Sequence, residues 1–236
     1  MFRTLLRNLT ITKNAGDKLL KCRPFTTAAP LAQEEEEYNY VKLLGTIVSN
    51  VRTLPNGTRS LIVRTVEGND KYCNHLVNLK SDAPMSMGER IYIFGNLSSK
   101  PFSLDDGRLR QKLIIKSKYS RLRGHERNIE NKNDQNNVKI LAKITSDIRH
   151  ADNHSLFTLS SNHMPKGEGR IPGMIITEFH RVIVYDQPAL GVLRNSISKF
   201  DRVLVEGKVS YMPYKITSGK TQHGGFIVAQ SIQRIE

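Results

Sequence analysis

The sequence predicts an all-β protein made of two tandem five-stranded Greek-key barrels with one short helix in each, and an internal repeat is the main reason. Residues 41–52 (VKLLGTIVSNVR) and 138–149 (VKILAKITSDIR) share six identities at a spacing of 97 positions. Residues 87–102 match residues 199–214 at a spacing of 112 positions, so about fifteen extra residues lie inside the second copy. Solenoid repeats have periods of about 20–50 residues, so this spacing indicates two complete small domains.

The first strand of each copy is predicted from alternation. Every second side chain of a strand points to the same face, and the apolar residues of both copies follow this period. The residues that share the apolar face are Val41, Leu43, Gly45 and Ile47 in the first copy and Val138, Ile140, Ala142 and Ile144 in the second. Each first strand is therefore expected to bury one face in its own domain.

A turn is predicted between the first strand and the second. The Pro-Asn-Gly sequence at residues 55–57 favours a tight turn, and a second strand is predicted after it at residues 60–66. A third strand is predicted at residues 73–79. In the second copy the matching strands are predicted at residues 155–160 and 178–185.

Residues 188–195 (PALGVLRN) fit one short helix after the third strand of the second copy. Strands four and five are predicted at residues 90–97 and 109–115 in the first copy, and at residues 202–209 and 225–229 in the second. Five strands with a helix after the third is the order of the OB fold, a small Greek-key barrel. The sequence therefore predicts two OB domains.

The domain boundaries follow from composition. The OB domains are expected at residues 38–120 and 138–236, and the polar, Asn-rich residues 121–137 are typical of a flexible linker. Residues 1–33 contain six Lys/Arg and one Asp in an amphipathic pattern that is typical of a mitochondrial presequence, which places the protein in the mitochondrial matrix. A disordered basic arm that helps to bind nucleic acid is the alternative interpretation of this segment.

The charge indicates an anionic partner. The chain carries +14, of which residues 38–120 contribute +7 and residues 138–236 contribute +5, so the charge belongs to both domains and not only to the leader. Nucleic acid, anionic lipid and an acidic protein all fit such a charge. Beyond the leader Cys73 is the only cysteine, and no Cys/His cluster has metal-ligand spacing, so neither a metal nor another cofactor is expected.

The second copy resembles the bacterial and mitochondrial single-stranded DNA-binding proteins. Residues 177–185 (TEFHRVIVY) match the aromatic-His-Arg strand of that family, and residues 205–214 (VEGKVSYMPY) match its Glu-Gly strand. Residues 187–190 (QPAL), before the helix, are closer to the mitochondrial branch. The resemblance covers most of residues 138–236 and is weaker over residues 38–120.

The resemblance implies an OB fold that binds single strands by stacking bases on aromatic rings along a basic groove. The stacking residues that it implies are Phe179, Tyr185 and Tyr214, with Phe102 at the position of Tyr214 in the first copy. The phosphate-binding residues are Arg181, Lys208 and Lys215 in the second copy, with Lys100 and Arg64 as further contacts in the first copy. In the family, the residue at the position of His180 packs between subunits, so the resemblance implies the same for His180. His75 lies at the matching position in the first copy.

Several of these residues have a second interpretation. Phe179 alternates with Arg181 and is also consistent with a core position, and Tyr185 ends its strand where it could pack against the helix. Tyr214 follows a proline at a strand end, which favours an exposed tip. His180 is equally consistent with an ordinary hydrogen-bonded strand histidine.

The sequence also departs from the family. It has no tryptophan, and Cys73 or Asn74 stands where the first copy should have its third-strand aromatic residue. The second copy is therefore expected to dominate binding, whereas weak binding, RNA binding and assembly are the alternative roles for the first. Cys73 and His75 lie two residues apart on one strand but lack an acidic partner, so no enzyme activity is predicted.

The function predicted from the sequence is a mitochondrial single-stranded DNA-binding protein acting in DNA replication and maintenance. A homodimer would bring four OB folds together, and mitochondrial replication proteins are possible partners. An RNA-binding protein and a protein-interaction subunit of a mitochondrial nucleic-acid complex are the alternatives, because stacking and phosphate contacts serve DNA and RNA alike.

Overall fold

The computed structural model describes most of the chain after the predicted presequence. The described residues are 36–67, 71–104, 107–125, 133–163, 174–215 and 221–236, without the side chains of His125, His163 and Lys215. The predicted presequence lies outside them, as do the middle of the predicted linker and the extra loop of the second copy. The part of the chain from Glu36 to Glu236 forms one compact unit.

The described residues form twelve strands and one helix. The strands of the first barrel are β1 (Tyr38–Ile47), β2 (Arg52–Thr53), β3 (Arg59–Glu67), β4 (Lys71–Leu79), β5 (Glu89–Ser103) and β6 (Leu109–His125). The second barrel contains β7 (Gln135–Ile144), β8 (Arg149–His150), β9 (Ser155–His163), β10 (Ile176–Val184), α1 (Gln187–Ser196), β11 (Arg202–Lys215) and β12 (Thr221–Ile235).

Each barrel is closed in the same way. In the first barrel β1 pairs with both β3 and β5, and a parallel pairing of β4 with β6, at Val77 and Ile115, completes the ring. In the second barrel β7 pairs with both β9 and β11, and β10 runs parallel to β12 at Val182 and Ile227. This is the strand order of the OB fold, so the predicted fold class of two tandem barrels is confirmed.

The predicted apolar faces form the cores. All eight residues predicted to share the apolar faces of the two first strands are buried. The other strands contribute further Leu, Ile and Val side chains, and Phe157 is the largest fully buried one. Alternation along the strands therefore identified the inward-facing positions correctly.

The predicted helix forms in the second barrel only. Asp186 caps α1 by accepting a hydrogen bond from the backbone N–H of Ala189 at 3.1 Å. The side chains of Leu190 and Leu193, on the inner side of the helix, are buried. The helix predicted for the first barrel is wrong, because residues 80–88 between β4 and β5 are not helical. Pro84 interrupts this short connection, and Arg59 binds its carbonyl groups at Ser81 and Ala83.

The segment predicted as a linker is partly strand. β6 continues to His125 and β7 begins at Gln135, so described residues at both ends of the 121–137 segment belong to the barrels. Asp134 forms a buried ion pair with Arg90 at 2.5 Å and accepts a hydrogen bond from the backbone N–H of Val66 at 2.6 Å. The end of the segment is thus anchored to the first barrel.

The two barrels share one continuous sheet because β1 pairs antiparallel with β7. Seven residue pairs form this ladder, from Tyr38 opposite Leu141 to Leu44 opposite Gln135. Val41 lies directly opposite Val138, and these are equivalent positions in the sequence repeat. The ladder therefore relates the barrels by a local two-fold axis that passes between the two valines.

Two equivalent glycines allow β5 and β11 to bend around their barrels. Gly95 and Gly207 each lie at a register shift in the pairing with the next strand. A Cβ at Gly95 would lie 2.2 Å from the carbonyl oxygen of Lys116, and one at Gly207 would lie 2.1 Å from that of Val228. The backbones approach too closely at both places for any side chain.

We expect Gly207→Ala to destabilise the protein by about 2 kcal/mol or more, because the new methyl group meets backbone and cannot be relieved by a rotamer change. Gly191→Ala is the matched control. Gly191 lies in α1 with open space around it, so alanine should leave stability unchanged or raise it by about 0.5–1 kcal/mol. Urea denaturation measures both, and equal midpoints for the two variants would contradict the packing argument.

Candidate nucleic-acid interface

One face of β10 carries three of the predicted binding residues. Phe179, Arg181 and the adjoining Tyr185 point outwards, whereas Val182 and Val184 point into the core. Phe179 is 45% exposed and Tyr185 is 44% exposed, so neither is a core residue. Tyr185 also lies beside the ring of His154, with 5.7 Å between the ring centroids.

The same surface continues over β12 and β11. β12 lies between β10 and β11 in the sheet, and Lys208 and Tyr214 of β11 stand opposite Val228 and Gln222 of β12. Lys208 and Tyr214 are both half-buried. We call the outward surface formed by β10, by residues 221–228 of β12 and by residues 208–214 of β11 the barrel 2 face. The side chain of Lys215, also predicted to bind here, is outside the described residues.

The first barrel completes the barrel 2 face with a residue that was not predicted. The guanidinium carbon of Arg110, on β6, lies 4.9 Å from the centroid of the Tyr214 ring. Gln111 accepts a hydrogen bond from the backbone N–H of Arg181 at 3.2 Å. Phe102 stands directly opposite Arg110 in the β5–β6 ladder, which brings this predicted residue to the edge of the same face. A small pocket opens between Arg110, Arg181 and Tyr214.

The charges around this pocket are positive. Burial, together with the neighbouring charges of Arg110 and Arg149, lowers the pKa of Arg181. An arginine pKa starts so high that the guanidinium group stays charged at neutral pH. The guanidinium groups of Arg110 and Arg181 line the pocket beside the Tyr214 ring, and together they form a site that favours an anion such as a phosphate group.

The predicted residues of the first barrel are more scattered. Lys100 is exposed on β5 and Phe102 is half-buried. Arg64, on β3, donates a hydrogen bond from Nε to Asn74 Oδ1 at 3.1 Å and lies 5.1 Å from the centroid of the Tyr72 ring. Tyr72 is an exposed aromatic residue of β4, and it lies just before Cys73 and Asn74, which stand where the family's aromatic residue was expected.

The two histidines lie between the barrels of one chain. His180, on the second barrel, is within 3.1 Å of Asn39 Nδ2 on the first. His75, on the first barrel, is bonded to Thr65 Oγ1 at 2.9 Å and packs against the ring of Tyr211 on the second. Both histidines are fully buried in the single chain, so the contact predicted between subunits is instead a contact between barrels. The homodimer itself stays a prediction.

Glu178 and Cys73, at equivalent positions of the two barrels, also cross the interface between them. Glu178 accepts hydrogen bonds from Ser98 Oγ and from the backbone N–H of Ser99, both at 2.8 Å. Burial opposes ionisation of Glu178, but these bonds and the charge of Lys116 outweigh it and lower the pKa of the carboxyl. The carboxylate therefore stays ionised and holds the two barrels together.

The thiol of Cys73 is held in an unreactive form. Its Sγ donates to the carbonyl oxygen of Val209 at 3.4 Å, and burial, together with the charge of Glu67, raises the pKa of the thiol to about 12. A thiol with this pKa is not a nucleophile at neutral pH. Within the described ranges, no group of three His, Cys, Asp or Glu residues could hold a metal ion, and no helix is long and apolar enough to cross a membrane.

Solved structures share this fold. The wild-type single-stranded DNA binding protein from Thermus aquaticus matches with 17% identity and a TM-score of 0.54, over 85% of this chain and 94% of that chain. A deletion mutant of the single-stranded DNA binding protein from the same organism matches with 16% identity and a TM-score of 0.54, over 85% and 96%. Because the matches cover 85% of this chain, they extend over both barrels. No protein-family model and no curated protein sequence matches.

These matches define the class of the structure, which is a tandem OB-fold chain. At this level of identity the likeness concerns the fold. The predicted resemblance to single-stranded DNA-binding proteins is therefore confirmed for the fold of the whole two-barrel unit.

The folded protein should lose stability as the pH falls below about 6.5. Burial lowers the pKa of His75 to about 4, below the value of about 6.5 expected in the unfolded chain. Between these values the unfolded chain binds a proton that the folded chain does not, so the stability falls as pH decreases, by about 1.4 kcal/mol per pH unit. Above pH 6.5 this contribution is constant.

The measurement is the free energy of unfolding from pH 8 to pH 4 for the wild type and for His75→Asn. We expect the variant to be less stable at pH 8 but to show a shallower decline below pH 6.5, because the titrating group is gone. Identical slopes in the two proteins would show that His75 does not carry this pH dependence.

Proposed function

We propose that this protein is a mitochondrial single-stranded DNA-binding protein that coats exposed strands during DNA replication and maintenance. The barrel 2 face carries the proposal, because it combines the exposed rings of Phe179 and Tyr185 and the Tyr214 ring with the guanidinium groups of Arg181 and Arg110. Every base has a π-face, so stacking on such rings tolerates any sequence and contributes about 1–3 kcal/mol per base. The positive groups neutralise the phosphates.

The form of this face favours single strands over duplex. Bases can stack on a protein ring only when they are not stacked within a double helix. The rings stand on the outside of β10 and β11, on either side of β12, where an extended chain of nucleotides can cross the sheet. The shared fold with a protein named for single-stranded DNA binding supports the same ligand.

The cellular context is part of the proposal and depends on the sequence. The amphipathic, basic residues 1–33 support import into mitochondria, and the ligand there would be mitochondrial DNA. A homodimer would present four barrels to one strand and would allow cooperative coating. Proteins of the mitochondrial replication machinery would be its partners.

The first test is a fluorescence-anisotropy titration of residues 34–236 with matched 30-mers of single-stranded DNA, single-stranded RNA and duplex DNA across a salt series. We expect tighter binding to single-stranded DNA than to duplex, affinity for DNA at least equal to that for RNA, and a steep fall in affinity with salt. A tenfold preference for RNA would contradict the DNA assignment and indicate an RNA-binding protein. No affinity for any of the three would leave a protein-binding scaffold.

The second test locates the binding site. Phe179→Ala combined with Tyr214→Ala should weaken single-stranded DNA binding by about 2–4 kcal/mol, because two base stacks are lost. Phe200→Ala is the matched control, since Phe200 is also exposed to solvent but lies in the turn before β11, at the end opposite Tyr214. A change of less than about 0.5 kcal/mol in the double variant, or the same loss in the control, would place the binding site elsewhere.

A further inference from the structure

A second group of aromatic rings lies on the first barrel, away from the barrel 2 face. We call it the aromatic face, and it consists of Tyr38 and Tyr40 on β1, Tyr92 and Phe94 on β5, and Tyr119 on β6. Tyr40 is 36% exposed and Tyr119 is 51% exposed. These rings lie on the outer surface of strands that turn their other side to the core.

The rings support one another. The centroids of Tyr38 and Tyr40 are 5.0 Å apart with an interplanar angle of 15°, which is a stacked pair. The Phe94 centroid lies 5.5 Å from that of Tyr40, and the Tyr92 centroid lies 6.4 Å from that of Tyr119 in an edge-on arrangement. Rings held in this way by rigid strands lose little conformational entropy when a ligand binds.

Positive charges surround the aromatic face. Lys118 Nζ lies 5.5 Å from the centroid of the Tyr40 ring, and Arg123 Cζ lies 6.0 Å from that of Tyr92. Lys42 and Arg121 are exposed next to the same rings, opposite Phe94 and Tyr92 in the sheet. Among the residues that the structure describes, none of these four cations forms an ion pair with a carboxylate.

The fold does not require these rings. The pairing of the strands identifies the equivalent positions in the second barrel, which are Gln135, Asn137, Leu204, Glu206 and Ser231. The second barrel forms the same sheet without an aromatic residue at any of them, and its Glu206 is paired with Lys139 at 2.8 Å. The rings and the unpaired cations are thus particular to the first barrel, and a role in binding explains both.

We propose that the aromatic face binds single-stranded nucleic acid by base stacking, as a second binding surface separate from the barrel 2 face. Unpaired cations beside exposed rings complement a chain that alternates phosphates with bases. A second copy of this chain fits less well, because packing two such faces together would bring Lys42, Lys118 and Arg121 against their own counterparts. The proposal rests on the proposed function, since it assigns the same ligand to the first barrel.

The absence of tryptophan from the chain allows a direct test with single reporters. Three full-length variants each carry one tryptophan: Tyr119→Trp on the aromatic face, Ser231→Trp at the equivalent exposed position of the second barrel, and Phe179→Trp on the barrel 2 face. Each is titrated with a 60-mer of single-stranded DNA while its tryptophan fluorescence is recorded. A base that stacks on an indole ring quenches it.

We expect Tyr119→Trp and Phe179→Trp to be quenched, and Ser231→Trp to remain unquenched at saturation. Quenching of Phe179→Trp alone would overturn the aromatic face as a binding surface and leave the proposed function standing. No quenching in any variant, together with no binding to the 60-mer, would overturn the proposed function and this inference together. Equal quenching at Ser231→Trp and Tyr119→Trp would show a contact that does not depend on the aromatic rings, and would also overturn the inference.

A measurement of affinity for the 60-mer tests the same surface without tryptophan reporters. Tyr40→Ala combined with Tyr119→Ala should weaken binding to the 60-mer at least tenfold and shorten the length of strand occupied per chain, because the stacking platforms are lost. Both residues are partly exposed and neither belongs to the core. Sedimentation of the same variant tests whether a second copy of this chain occupies the aromatic face instead. Unchanged affinity with loss of a dimer would assign the aromatic face to self-association and overturn the proposal.

Discussion

The antiparallel ladder between β1 and β7 is the constraint on which the rest of the structure depends. Because Val41 pairs with its own repeat equivalent, Val138, the two barrels face each other across a local two-fold axis. This arrangement places the β5–β6 hairpin of the first barrel across the second barrel, where Leu113 packs directly onto Gly225. A Cβ at Gly225 would lie 2.4 Å from the Leu113 side chain, so the glycine leaves the space that the hairpin needs. The hairpin then carries Arg110 to Tyr214.

Equivalent positions around this axis have kept their structural roles while their chemistry has diverged. Asn39 exchanges two hydrogen bonds with the backbone of Leu97, at 2.6 and 3.0 Å, and Asn136 exchanges two with the backbone of Val209, at 2.9 and 3.1 Å. Each asparagine continues the strand ladder where the backbone has turned to pair with the other barrel, so both copies need it. The two sides of the contact between the barrels differ in their chemistry. The carboxylate of Glu178 crosses it from the second barrel, and the thiol of Cys73 crosses it from the first.

Local patterns in the sequence predicted what depends on local physics. Alternation found the buried residues of β1 and β7, and Pro-Asn-Gly chemistry found the turn at Gly57, which has a positive φ of 74°. The prediction of a helix in the first barrel was wrong. The connection between β4 and β5 differs from the connection that contains α1 in its length and in the position of its proline. Arg110 was missed because its contact with Tyr214 exists only after two distant segments have paired, and no pattern within β6 records that.

The position of Arg110 makes the candidate interface a property of both barrels together. The barrel 2 face takes Phe179, Arg181 and Tyr214 from the second barrel, but the guanidinium group of Arg110 belongs to the first. The first barrel also carries the aromatic face, and the sheet that bears it continues into the second barrel through the pairing of β1 with β7. Separating the barrels would expose the unpaired edges of β1 and β7 and would remove the hydrogen-bond donors of Glu178 on the first barrel. The proposed nucleic-acid interface therefore belongs to the joined sheet, because the second barrel alone lacks Arg110.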